Sequence, residues 1–324
     1  MAYSEAVLRR ARARLAQAKA EREQENTRHL MDAYARFPRL REIDRQLSAT
    51  VAQAVAASFR RGEDPTAAIE ALKAQNLALQ EERVWLISGL EEGYLDDGPI
   101  CPKCGGSGYV GAQMCECLRE LCRQEQKKEL TSLLSTGSAR FENFHLDVYP
   151  DTYSEEYGCS PRQMMRLILN RCQRYSNSFS PDSGSMLFTG GPGLGKTFLS
   201  ACIARAVADR GFSVVYDTAI RMFGEFEDAK FGDRSEEASA RTEKYLLADL
   251  LIIDDLGSEM TTQFTMSALY TVVNTRLMEG RATIISTNLT REQLSSRYSP
   301  AICSRILGMY QFMQFLGDDL RRQG

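Results

Sequence analysis

The segment Gly190-Gly191-Pro192-Gly193-Leu194-Gly195-Lys196-Thr197 sets three kinds of residue in an order that suits a chain of phosphates. Glycines let the backbone bend tightly and turn several N–H groups inward, the lysine brings a mobile positive charge, and the threonine brings a hydroxyl for a metal ion. Apolar Met186-Leu187-Phe188 precedes the segment and Phe198-Leu199 opens a helical pattern after it, so the expected context is strand, loop, helix N-terminus. The partial positive charge of such a helix end adds to the donors of the loop. The reading is an ATP site lined by Gly190, Gly191, Pro192, Gly193, Leu194, Gly195, Lys196, Thr197 and Phe198. Lys196 would reach the β- and γ-phosphates and Thr197 would ligate Mg2+.

Two acids end a later apolar run, Leu250-Leu251-Ile252-Ile253-Asp254-Asp255. A buried parallel strand delivers such residues to the carboxyl edge of its sheet, beside the phosphate loop. Asp254 is expected to hold Mg2+ and Asp255 to orient or deprotonate the attacking water. Glu259, four residues on, is near enough in sequence to share the base role. Ile284-Ile285-Ser286-Thr287-Asn288 ends another strand on a polar side chain, which makes Asn288 the candidate to bridge the γ-phosphate and the lytic water. Arg305 and Arg321 are late arginines with the reach to meet a nucleotide.

A second kind of chemistry is written in the cysteines. Cys101-Pro102-Lys103-Cys104-Gly105 is a knuckle in which Pro and Gly permit the tight turn that brings two thiolates to one ion, and Cys115 and Cys117 follow in Met114-Cys115-Glu116-Cys117. Cys101, Cys104, Cys115 and Cys117 are assigned to Zn2+, with Cys122 as a rival fourth ligand and a redox pair as the alternative for Cys101 and Cys104. The scattered Cys159, Cys172, Cys202 and Cys303 read as buried small hydrophobes. His29 and His145 are the two histidines, and neither is needed as a ligand.

The elements that must position these groups follow from the patterning. Short apolar runs alternate with helical stretches from Phe141 onward, which means a mostly parallel sheet covered on both faces. Ahead of it, residues 1–98 are Ala-, Arg-, Glu- and Leu-rich and helical, with basic residues outnumbering acidic ones by about two to one up to Arg61 and the balance reversed from Gly62 to Asp97. Asp64 and Pro65 are the expected cap and first residue of a helix that runs to about Gly89, giving a helical hairpin or small bundle with Trp85 in its core. Residues 99–138 form the cysteine module and a helix from near Leu118, closed by a polar linker from Ser135 to Ser138, and 139–324 the nucleotide-binding domain. With 324 residues, 43% hydrophobic and 26% charged, the chain has material for a sizeable core. A net charge of −3 excludes a globally basic nucleic-acid coat and confines any DNA contact to one face. No apolar run is long enough to span a membrane and no secretory signal opens the sequence, so a cytoplasmic protein is expected.

The ordered set GGPGLGKT, LLIIDDLGSE, IISTN, SRI and GDDLR resembles the DnaC/DnaI family of bacterial replicative helicase loaders, within the AAA+ ATPases, over about Phe141 to Gly324. The resemblance implies an α/β fold with a five-stranded AAA+ P-loop core behind an α-helical N-terminal region and a small zinc module, which some such loaders carry. It also implies an arginine finger at Arg305 that completes a neighbouring subunit's site, and a sensor-2-like arginine at Arg321. The expected partners are a hexameric replicative helicase, held by the N-terminal helices and zinc module, single-stranded DNA, and further copies of the chain assembled by ATP. Arg221, Phe223, Lys230 and Phe231 are the candidate DNA contacts. The Walker B pair ends Asp-Asp where AAA+ proteins more often have Asp-Glu, and the sequence stops a few residues past Arg321, too soon for a full helical lid. A transposase helper resembling the IstB family, or a nucleotide-dependent adaptor with little turnover, is the alternative.

Overall fold

The computed structural model describes residues 3–58, 66–91, 93–96, 98–133, 139–232 and 236–320. Asp64, Pro65, the Ser135–Ser138 linker and Arg321 lie outside them. The chain divides into two compact units, residues 14–113 and residues 1–13 with 114–324.

In the first unit the helical patterning becomes most of α1 (Glu5–Arg36), then α2 (Pro38–Ser58) and α3 (Thr66–Ile87). Pro38 stands at the start of α2, where its missing N–H costs nothing. Leu40, Ile43 and Leu79 are buried, and Arg83 of α3 reaches Asp44 of α2 at 2.8 Å. Trp85 does not join this core: it is 74% exposed, with Val84 and Leu77 also exposed. At about 100° per helical residue, Trp85 projects about 200° from Arg83 and so away from α2. His29 bonds the Tyr94 carbonyl at 2.9 Å and stacks on the Tyr94 ring. A two-stranded hairpin of β1 (Tyr109–Val110) and β2 (Gln113–Met114) follows.

The second unit holds α4 (Glu116–Leu133), α5 (Pro161–Asn177), β3 (Met186–Thr189), α6 (Lys196–Asp209), β4 (Val214–Thr218), α7 (Ala219–Phe231) and α8 (Glu236–Leu247). It continues with β5 (Leu250–Leu256), α9 (Gln263–Met278), β6 (Ala282–Thr287), α10 (Arg291–Arg297), α11 (Pro300–Met309) and β7 (Gln311–Gln314). The strands make one sheet in the order β4-β5-β6-β3-β7, with every pairing parallel. This is the expected five-stranded core with helices on both faces. Met186, Phe188, Leu250, Ile252 and Ile284 face α5 and α6, while Leu187, Leu251, Ile253 and Ile285 face α7, α9 and α11. Because side chains alternate along a strand, a sheet covered twice needs continuous apolar runs, and that is why β3 and β6 are buried throughout. Serine and threonine side chains cap the entering helices: Ser160, Thr262 and Thr290 each form a capping box, and Ser299 caps α11 ahead of Pro300. Of the scattered cysteines, Cys172, Cys202 and Cys303 are buried as expected, and burial pushes the thiols of Cys172 and Cys202 up to about 12. Cys159 is only half-buried, because it lies in a loop bridged to Ser154 rather than on a packed helix.

Two polar devices hold the periphery. Gln126 of α4 is buried against the edge strand, taking the Val214 N–H at 3.1 Å and donating to the Phe212 carbonyl at 2.9 Å. Arg276 of α9 is fully buried. It donates to the carbonyls of Tyr245, Leu246, Ala248 and Ala282 and to the Thr283 hydroxyl. Burial lowers its guanidinium to about 10, so it stays charged at neutral pH and neutralises the carboxyl end of α8. Arg276→Met keeps most of the volume but leaves buried carbonyls without a donor. A loss of about 3 kcal/mol or more is expected from the urea unfolding midpoint.

Candidate nucleotide site and cysteine cluster

The phosphate-loop motif emerges from β3 and leads into α6, whose first residue is Lys196. Gly195 caps the helix at φ 88°, a left-handed conformation that glycine adopts without strain. A side chain there would also meet the Tyr149 hydroxyl and the Phe144 ring. The loop is gripped from outside as well: Tyr149 donates to the Leu194 carbonyl at 3.0 Å, and the Phe315 N–H to the Thr189 carbonyl at 2.8 Å. The Leu194 side chain is buried in the core. Phe198 is half-buried and its ring lies 6.0 Å from that of Phe144. Asp319 of the GDDLR motif lies against Gly193, so closely that a Cβ there would overlap its carboxylate.

The Lys196 ammonium is buried and donates to the carbonyls of Gly190 and Gly191, both at 2.6 Å, and to Asn288 Oδ1 at 2.8 Å. Asn288 turns its amide N–H to Asp255 Oδ1 at 2.8 Å. Thr197 donates its hydroxyl to Asp254 Oδ1 at 3.2 Å. Lys196, Thr197, Asp254, Asp255 and Asn288 therefore converge at the carboxyl ends of β3, β5 and β6. The pairing of β5 with β6 shifts register between Ile253 and Leu256, and within that irregularity Asp255 takes φ 56°. A left-handed aspartate stores local strain, which the Asp255 N–H offsets by donating to Ser286 Oγ at 3.0 Å.

Two groups in this arrangement were not among the expected site residues. Ser286 also donates to Asp254 Oδ1, and Tyr216 of β4 donates to Asp254 Oδ2 at 2.8 Å. Burial, together with the charge of Asp254, raises the Tyr216 phenol above its ordinary value. The available signal was a tyrosine inside an apolar strand, since a buried phenol hydroxyl needs an acceptor.

Other expectations separate. Glu259 is committed to its own loop, one oxygen taking the Gly257 N–H at 2.8 Å and the other the Tyr298 hydroxyl. Arg305 binds Asn274 at 2.7 Å, the Tyr270 hydroxyl at 3.0 Å and the Ala301 carbonyl, and lies over the Tyr270 ring. None of these partners belongs to the phosphate loop or to the acids of β5. Phe223 is 3% exposed within the core, so it has no face for a base. Arg221 is exposed and pairs with Asp217 at 3.4 Å. Phe231 is 71% exposed, its ring 5.5 Å from that of Phe264, with the Lys230 ammonium over both rings.

The family model described as IstB-like ATP binding protein matches residues 152–323, which carry Lys196, Thr197, Asp254, Asp255 and Asn288. The chain belongs to the IstB-like ATP-binding protein family. Among curated relatives, the replicative helicase loader DnaC of Buchnera aphidicola subsp. Acyrthosiphon pisum (strain APS) is 26% identical over 192 residues, covering 57% of this chain and 74% of that protein. The DnaC of Escherichia coli (strain K12) is 26% identical over 159 residues, covering 47% of this chain and 62% of that protein. A crystal structure of DnaI has a TM-score of 0.46 at 19% identity, covering 60% of this chain and 100% of that one.

The cysteine cluster lies ahead of the IstB-like region. Cys101, Cys104, Cys115 and Cys117 offer sulfur atoms that all lie within 4.8 Å of one another. Four thiolates at about 2.3 Å from a tetrahedral zinc stand about 3.8 Å apart, a separation that falls within this limit. The Gly108 N–H points at Cys104 Sγ at 3.3 Å, the donor that a metal-bound thiolate accepts. Cys122 is not in the group: it is buried on α4, and desolvation raises its thiol to about 11. In protein purified without chelator, metal analysis is expected to find about one zinc per chain. Cys122→Ala should retain the metal and Cys104→Ser should lose it.

Proposed function

We propose that this IstB-like protein is a cytoplasmic AAA+ ATPase that loads a hexameric replicative helicase onto single-stranded DNA. The observation that carries the ATPase part is the single network from Lys196 through Asn288 to Asp255, beside Thr197 on Asp254. The loop from Gly190 to Thr197 wraps the phosphates, and Lys196 exchanges its Asn288 contact for the γ-phosphate. Thr197 and Asp254 offer hard oxygens suited to Mg2+, which when bound neutralises charge on the phosphate oxygens. Asp255 orients and deprotonates the water, and Asn288, between Lys196 and Asp255, reports which phosphate is present. Arg305, anchored on α9 rather than at the chain's own loop, completes the site of a neighbouring copy, and assembly thereby gates hydrolysis.

The helicase part is supported by the names of the DnaC relatives. The N-terminal helices and the zinc-binding cysteines act as the docking arm. No helix among the described residues is long and apolar enough to cross a membrane, in keeping with a cytoplasmic setting. Exposed Lys230 and Phe231, beside half-buried Phe264, combine charge with stackable rings, the pairing that single strands bind in a salt-sensitive way. The family's own description favours one rival, an IstB-like transposase helper with the same ATP chemistry and a different client.

Lys196→Ala is expected to abolish nucleotide binding, read with a fluorescent ATP analogue. Arg305→Ala should bind ATP normally while assembly-stimulated turnover falls by about a thousandfold; unchanged turnover would put the finger elsewhere. Native mass spectrometry with the host's replicative helicase, with and without ATP, decides the client. A complex whose stoichiometry changes with nucleotide supports the loader, and no complex under either condition favours the transposase helper.

A further inference from the structure

We propose that Tyr216 and Ser286 are positioning residues that pin the two oxygens of Asp254 and thereby set the protein's affinity for the magnesium ion of MgATP. The assignment rests on the ATP reading above and extends it to residues outside its motifs.

Asp254 is buried at the end of β5, between a strand on either side. From β4 the Tyr216 hydroxyl donates to Oδ2 at 2.8 Å, and from β6 the Ser286 hydroxyl donates to Oδ1. Both donors are themselves buried, Tyr216 at 7% and Ser286 at 1% exposure. A carboxylate torsion is soft and roughly two-fold, so one donor alone leaves its plane free to swing. Donors on opposite oxygens from opposite strands remove that freedom. They leave Oδ1 toward the Thr197 hydroxyl, the other oxygen donor offered to the metal. Ser286 has a second duty, accepting the N–H of left-handed Asp255, so the same hydroxyl relates the metal-side acid to the water-side acid. Tyr216 has no such second duty at the phosphate loop, and Phe in its place conserves the ring while deleting the donor.

Groups that orient a metal-holding carboxylate typically govern affinity by about 10-fold or more. The test is a titration of Mg2+ into the full chain with a fluorescent ATP analogue, after nucleotide affinity has been measured in EDTA. For Tyr216→Phe the metal-free nucleotide affinity should match the parent, while the Mg2+ concentration for half-maximal response rises about tenfold. Ser286→Ala should shift that concentration in the same direction, and it reads the pinning even if the Tyr216 variant fails to fold. Half-maximal concentrations within about twofold of the parent in the folded variants would overturn the assignment and leave the ATP reading standing. A parent whose nucleotide binding ignores Mg2+ would overturn both.

Discussion

A buried ammonium must be surrounded by oxygen, and where Lys196 finds its oxygens organises the site. Two come from the loop that precedes it, which closes Gly190 and Gly191 around the side chain, and one comes from Asn288 at the end of β6. β6 lies between β3 and β5 in the sheet, so the lysine ties the phosphate loop to the strand that separates it from the acids. Asn288 passes the connection to Asp255. Three strand ends thus share one line of hydrogen bonds, an arrangement open to a parallel sheet because all its carboxyl ends lie along one edge.

The same edge carries the site's strain. Asp255 is held left-handed in an irregular stretch of β5 and stays there because Ser286 and Asn288 hold its backbone and side chain from β6. Positive φ in a residue other than glycine costs about 1 kcal/mol or more, and the neighbouring strand offsets it. Outside the sheet, Tyr149 and Phe315 grip the loop through its main-chain carbonyls.

The architecture was legible because its signals are local. The apolar runs at Met186, Val214, Leu250, Ala282 and Gln311 became the five strands, and the motif residues needed only their order along the chain to be assigned to one edge. The cluster of four zinc-spaced cysteines was similarly readable from their spacing. What escaped depends on direction rather than identity. Trp85 carries the apolar surface of a core residue but sits on the turn of α3 that faces away from α2. Phe223 and Phe231 are eight positions apart on α7, yet one faces the sheet and the other solvent, because eight steps of about 100° rotate the side chain by about 80°. Tyr216 and Ser286 look like ordinary strand residues until a partner 38 or 32 positions away is brought beside them. Periodicity speaks of faces and is silent on which hydroxyl meets which carboxylate.

The amide of Gln126 has a colloidal consequence. β4 ends the sheet, and the exposed rim of such a strand is a template on which another chain can extend the sheet. Here one glutamine imitates a missing neighbour, giving and taking one bond at Phe212 and Val214 as a sixth strand would. Where copies of a chain crowd together, such a cap keeps these two backbone groups satisfied and less open to pairing with a stray strand.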